Sequence, residues 1–245
     1  MHALEYRVLS IGTLSANPLW DEREPARTGH ATTVLIRSGK STIVVDPGLP
    51  PAALGARFAE RTNIALDEVT HVFLTAFTPE HTRGLHLFER ASWLVHAPER
   101  EAAEDLLSRL RAEARRSREQ ALLEHLEHEL HHLSRCADAD DRLAPGVDLF
   151  PLPGVTPGTC GLLLSLPALT VLVTGDAVAS EDHLARGQVL PHSQDLTKAQ
   201  ESFREAIEIA DLLIPGRGNV SVNPLRGGSA RAAGVRRGSA APDED

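Results

Sequence analysis

Apolar positions in the first hundred residues come in short runs rich in β-branched side chains, at 6–11, 32–36 and 42–45. Runs of this length bounded by Gly, Pro, Ser and Asp predict strands, and Ser38-Gly39-Lys40 predicts the turn joining the last two. Asp46-Pro47-Gly48 ends that hairpin. The period then changes: Leu54 and Phe58 stand four apart within residues 51–61, which predicts a helix. Residues 69–75 are unusually apolar, with Val72-Phe73-Leu74 consecutive, the pattern of a strand buried on both faces. Residues 93–96 predict a further short strand.

From 99 to about 135 neither Gly nor Pro occurs and Glu, Arg, Ala and Leu prevail, so this insertion is predicted as helix, in one long rod or two pieces. Leu122, Leu126, Leu130 and Leu133 form one apolar stripe, and Leu106, Leu107 and Leu110 begin an earlier one. These stripes are expected to cover the sheet edge or to pair with a second copy as a homodimer. After Pro145-Gly146 strands return at 148–152, 161–166 and 169–174. Residues 197–210 are an amphipathic helix with Phe203 and Ile207 facing inward, and 211–214 are a last strand. One domain is expected over residues 1–225. From 226 to 245 the chain is Gly, Ala, Arg and Ser closing on acidic residues, with too little apolar surface to offset its ordering entropy, and is expected to be disordered. Periodicity alone leaves the fold class at α/β or α+β.

Composition narrows the function classes. With 42% hydrophobic and 24% charged residues the chain is that of a soluble globular protein. A net charge of -9 and only 4% aromatics argue against a nucleic-acid surface. No apolar stretch is long enough to span a bilayer, and the first residues lack the basic start and apolar run of a secretory signal. Two cysteines, Cys136 and Cys160, make no disulfide framework, so a cytoplasmic location is expected. No phosphate-binding glycine loop or nucleophile elbow is present.

Four ordered landmarks carry a family resemblance. They are Val44-Val45-Asp46-Pro47-Gly48, the segment from Leu74 to Gly84, Leu152-Pro153-Gly154-Val155-Thr156-Pro157-Gly158, and Val173-Thr174-Gly175-Asp176 followed by Ile214-Pro215-Gly216-Arg217-Gly218. In this order and spacing they resemble the metallo-β-lactamase superfamily. The resemblance implies an α/β fold, an αβ/βα four-layer sandwich with a loop-built site at one edge. It also implies two adjacent metal ions that activate water.

The resemblance further implies which positions would hold those ions. The first would use Ala76, Thr78 and Val155 with Asp176 bridging; an alanine methyl and a valine isopropyl offer no lone pair, and a neutral threonine hydroxyl is a poor zinc ligand. The second would use Glu80, His81, Asp176 and the position of Arg217, a guanidinium that cannot coordinate a cation. The reading adopted is that Arg217 stands where metal charge would be and that Glu80, Asp176 and Arg217 form a charge cluster in the cleft. The expected function is that of a family member without the dinuclear site, a non-catalytic protein binding an unknown small molecule or acting in regulation, with no cofactor. An alternative is a hydrolase with one zinc, iron or manganese ion on Glu80, His81 and Asp176. A third is metal-free acid–base chemistry by Glu80 or Asp176 with Arg217 as an anion clamp. Asp46 is read as a brace beside the site. His81 alone could be a structural histidine, Asp176 a turn former, and Glu80 a first-turn helix residue.

Other histidines are candidates to complete a site. His30, His183 and His192 are assigned to loops that could approach the cleft. His125, His128 and His132, with His131 adjacent, share one side of the predicted helix and could hold zinc or nickel, but are read as a solvated face among Glu124, Glu127 and Glu129. The run from Asp21 to Arg27 is read as a solvated loop that could rim the cleft.

Overall fold

Alternation along the predicted strands decides how the layers stack. The computed structural model describes residues 2–226. Its first sheet runs β1 (His2–Ser10), β2 (Thr33–Gly39), β3 (Ser41–Val45), β4 (His71–Leu74), β5 (Ser92–Val95) and β6 (Cys136–Asp138) in that spatial order. The first three pair antiparallel, and β3 through β6 are parallel. The second sheet is ordered β12 (Ser221–Val222), β11 (Leu212–Pro215), β10 (Thr170–Gly175), β9 (Cys160–Ser165), β8 (Val147–Pro151) and β7 (Arg142–Ala144). In it only β10 and β11 are parallel.

Side chains of a strand point alternately to its two faces. Val34, Ile36, Ile43, Val45 and Phe73 therefore meet Leu162, Leu164, Val171, Val173 and Ile214 between the sheets. Their neighbours Leu35, Val44, Val72 and Leu74 face the other way, into a cluster with Leu54 and Phe58 of α1 (Pro51–Arg61). The expectation that the apolar strand near residue 72 is buried on both faces is met in β4. On the outside of the second sheet, Leu172 and Leu213 pack on Phe203 and Ala206 of α6 (Leu196–Ile209). Helix, sheet, sheet, helix is the four-layer αβ/βα sandwich. Each fully buried Leu, Val or Phe here contributes about 1.5–3 kcal/mol, so the scaffold's stability resides in these three clusters and the loops can carry polar chemistry.

The insertion is two helices, α3 (Ala97–Ser117) and α4 (Gln120–Ser134), broken at Arg118, whose φ is 60°. Leu126 and Leu133 are buried, whereas Leu106, Leu110 and Leu122 stay exposed, so the predicted stripes are only partly covered. Strands β6, β7 and β12, each two or three residues long, and the short helix α5 (Glu181–Arg186) are absent from the predicted elements, whereas Glu80 does stand in the first turn of a short helix, α2 (Pro79–Thr82). Cys136 and Cys160 are buried and unpaired, and burial pushes both thiols up to about 12. Among the described residues no helix is long and apolar enough to cross a membrane. Arg226 ends the described chain, so the tail expected to be disordered lies beyond it.

Candidate functional site

The carboxyl ends of β3, β4, β8, β10 and β11 meet at one edge, and the landmark segments are the loops that leave them. Asp46, just after β3, accepts from the Thr75 backbone N–H at 2.8 Å and pairs with the Thr75 hydroxyl at 2.6 Å. This pins the end of β4 to β3 and fixes where the Ala76–Thr82 segment begins. Burial pushes the Asp46 carboxyl up to about 8 against the opposing hydrogen bonds of Thr75. Asp46 is thus the brace expected from the sequence.

Arg217 is positioned from both sides of its backbone. Its N–H donates to Ala179 O at 2.7 Å, and the preceding Gly216 N–H donates to Gly175 O at 2.9 Å. A side chain at residue 216 would put its Cβ 2.5 Å from an Asp176 carboxylate oxygen, so only glycine admits this approach. The guanidinium then forms a planar fork on Asp176, Nε to Oδ1 at 2.8 Å and Nη2 to Oδ2 at 2.7 Å. Its remaining Nη1 faces Glu80 as an ion pair. The Arg217 side chain is only 3% exposed and that of Asp176 8%, whereas Glu80 at 32% still reaches water. Glu80 is held by its carbonyl, which accepts from Ala31 N–H at 2.9 Å, and by Gly29, where a Cβ would lie 2.2 Å from its carboxylate.

Electrostatics follow from this packing. Burial pushes Asp176 up, but the charge and hydrogen bonds of Arg217 outweigh it and hold the carboxyl well below the usual range. Burial likewise pulls Arg217 down, and Asp176 and Glu80 together more than reverse it. His81 is fully buried; its Nδ1 pairs with the Thr78 hydroxyl at 2.8 Å, and its Nε2 stands 3.7 Å from Asp176 Oδ2 without a hydrogen-bond partner. Burial pulls the imidazole down to about 4, only partly opposed by Asp176 and reinforced by Arg217. The structure therefore brings together all four charged residues singled out from the sequence: Glu80, His81, Asp176 and Arg217.

The remaining family positions are differently occupied. Ala76 is buried, and Val155 packs with Leu14, Ala179 and Leu190 in a small apolar cluster. His30 is turned to the carbonyls of Ile11 and Thr28. His183 lies in α5, not in a loop, buried with Nδ1 on the Ser180 hydroxyl at 2.8 Å. His192 is an exposed loop residue whose charge is felt at Asp176. The loop before β2 does rim the site: Glu22 pairs with Arg27, and Trp20 Nε1 donates to Asp182 Oδ2 at 2.8 Å. Between that loop and α5 lies a cavity of about 160 Å³ lined by Leu14, Trp20, Arg27, Ser180, Asp182 and Arg217, among others.

One site residue escaped the sequence reading. Glu99, in the first turn of α3, is buried and accepts from Phe77 N–H at 2.8 Å, the Thr156 hydroxyl at 2.5 Å and Gly158 N–H at 3.2 Å. It joins the Leu74–Gly84 and Leu152–Gly158 landmarks, and burial pushes its carboxyl up against these three donors. The two landmark loops had been noted separately, but nothing in their spacing marks the acid that bridges them. The solvated-face reading of the helix histidines fits Glu124, His125, Glu127, His128 and His131, which are exposed. It does not fit Glu129, which is buried, or His132, half-buried and pulled down to about 4 by burial and by His128, His131, His86 and Arg135.

His81 sets a pH dependence. Its folded pKa of about 4 lies below the unfolded value near 6.5, so the unfolded state binds the proton first as pH falls. This contribution leaves stability unaffected above pH ~6.5 and removes up to about 3 kcal/mol between ~6.5 and ~4. Asp176, depressed instead, costs stability only at lower pH, below the unfolded carboxylate value. From pH 7 to 4.5, stability measured by urea denaturation should fall less steeply in His81→Gln than in wild type, with the remaining slope coming from other depressed imidazoles such as His132; an equally steep decline in that variant would assign the whole effect elsewhere.

Residues 26–217 match the metallo-beta-lactamase superfamily. No curated protein matches the chain. Among solved structures, a metallo-beta-lactamase-type protein from Thermotoga maritima is 19% identical at TM-score 0.65, covering 90% of this chain and 100% of its own. AidC, a dizinc quorum-quenching lactonase in complex with a product, is 15% identical at TM-score 0.63, with 78% of this chain and 74% of its own covered. AiiA of B. thuringiensis with N-decanoyl-L-homoserine bound at its active site is 17% identical at TM-score 0.56, with 95% and 96% covered. At such identities the likeness is one of fold.

Proposed function

The chain belongs to the metallo-beta-lactamase superfamily, and we propose that it is a member without the dinuclear site, a non-catalytic protein that binds a small ligand or acts in regulation. The observation that carries this reading is Arg217. Both oxygens of Asp176 accept from its guanidinium, and its third nitrogen faces Glu80. A divalent ion does not fit these residues. It would have to share each Asp176 oxygen with an N–H donor, and it would sit beside a permanent positive charge in a buried setting. The other implied ion would meet Ala76 and the isopropyl group of Val155, which is packed against Leu14, Ala179 and Leu190. Neither residue offers a donor.

With Glu80 and Asp176 at -1 each and Arg217 at +1, the cluster sums to a formal charge of -1. The adjoining cavity of about 160 Å³ is lined by Arg27, Arg217, Glu181 and Asp182, two charges of each sign, so a ligand entering it would be small and without large net charge. Arg217 is committed to Asp176 by two hydrogen bonds and to Glu80 by charge. The test is turnover. Tag-free protein, with and without zinc, iron or manganese, is expected to hydrolyse lactones, esters, thioesters and phosphodiesters no faster than buffer. Metal-dependent hydrolysis abolished in Asp176→Asn would overturn the reading in favour of a hydrolase centred on Glu80, His81 and Asp176.

A further inference from the structure

The helical insertion carries a second set of donors, away from the Arg217 cluster. His128 and His132 lie one turn apart on α4, so both imidazoles leave the same face of the helix. Their ring centroids are 4.0 Å apart. Glu129 stands beside them, its side chain only 11% exposed and its Oε1 3.7 Å from His128 Nδ1. One ligating atom from each of the three lies within 4.8 Å of the others. Ligand atoms around a tetrahedral zinc ion are about 3.4 Å apart given Zn–N bonds near 2.0–2.1 Å, so small rotations about the side-chain bonds would close the set. The order His128-Glu129-Leu130-His131-His132 is also the His-Glu-x-x-His spacing that presents two imidazoles to one zinc ion from a single helix.

Two further features distinguish this cluster from a solvated face. His132 is seated edge-on against the buried Trp93, centroids 5.7 Å apart, and Arg135 covers that indole at 3.8 Å. Its ring is thereby oriented before any ion arrives. The donors also line a cavity of about 320 Å³ between α4 and the segment after β4, where His86 and His125 join them. Arg83 borders the same cavity, but its guanidinium is turned to the carbonyls of Gly29 and Gly48. The buried carboxylate of Glu129 has the His128 imidazole 3.7 Å away as its ion-pair neighbour, charged only when protonated, a setting in which a bound cation lowers the cost of burial.

We propose that His128, Glu129 and His132 form a site for a divalent transition ion, zinc foremost, with His86 as a further ligand from across the cavity. Mixed imidazole and carboxylate donors suit zinc, and also nickel or cobalt, better than magnesium or calcium. An ion held there would tie the insertion to the Pro79–Phe88 segment, which also carries Glu80 and His81. The inference does not depend on the reading of the cleft.

Calorimetric titration of the tag-free full chain with zinc, paralleled by cobalt absorption spectra, tests it. One ion per chain should bind and raise Tm. His128→Ala, at an exposed position where folding does not depend on the side chain, should weaken binding about 100-fold, and His132→Ala similarly. Asp176→Asn should leave binding unchanged. No uptake by the wild-type chain, or uptake unaltered in the His128→Ala/His132→Ala double variant, would overturn the site. Uptake that instead disappears in Asp176→Asn would overturn it too, and would move the ion to the cleft.

Discussion

Arg217→Met is expected to destabilise the fold by about 3–5 kcal/mol, the usual cost of leaving a buried charge without its partner. For a domain of this size that is a fall in Tm of roughly 10 °C. The sign is not obvious from the contacts alone. Opposite charges about 4 Å apart attract by about 4 kcal/mol at a surface-like effective dielectric, but bringing them out of water costs several kcal/mol per ion. The intact cluster is therefore near break-even, and its removal as a unit would cost little. Removing only the cation is different. Asp176 would remain buried beside Ala177 and Val178 with its two best donors gone, while Glu80 could turn toward water. Arg217→Lys should fall between, keeping the charge but losing the two-pronged geometry. Asp176→Asn in the Met background should recover part of the loss. Chemical denaturation of the three variants checks this, and a Met variant as stable as wild type would remove the cluster from the account.

Glu99→Ala should cost about 2 kcal/mol or more, because the Phe77 and Gly158 N–H groups would be orphaned in a buried setting, and each unsatisfied buried donor costs about 1–3 kcal/mol. The half-buried Thr156 hydroxyl keeps a partner in the Thr159 hydroxyl at 2.6 Å. Glu99→Gln keeps the shape but brings an amide N–H₂ toward those donors, so it should rescue only part. The loss should be accompanied by loosening of both landmark loops, read as faster amide hydrogen exchange at Phe77 and Gly158. Exchange unchanged at both amides in Glu99→Ala would show that the loops are held by other contacts.

The layered fold was legible because its strands announce themselves locally. Val34, Ile36, Ile43 and Val45 alternate with residues of the opposite face, and β4 is apolar from Val72 to Leu74 because both of its faces are covered there. The elements that were missed are too short to establish a period: β6 is three residues held by pairing with β5, and α5 is six residues. For the site, Glu80, His81, Asp176 and Arg217 could be named from ordered landmarks, and Arg217 could be assigned its partners by charge alone. Glu99 could not, since the acid that joins the two loops comes from the insertion and meets them only in three dimensions. The helix histidines read both ways from the sequence, as zinc or nickel ligands and as a solvated face among Glu124 and Glu127. The burial of Glu129 and the seating of His132 on Trp93 are visible only in three dimensions, and they are what sets these two residues apart from an exposed face.

The central claim is that an arginine, not an inorganic ion, neutralises Asp176 and Glu80. A crystal of the tag-free protein grown with excess zinc and recorded at the zinc absorption edge tests it directly. The account predicts no anomalous peak between Asp176 and His81, with the Arg217 guanidinium forked on Asp176 as described. A peak at that position, with Arg217 swung out to solvent, would contradict it.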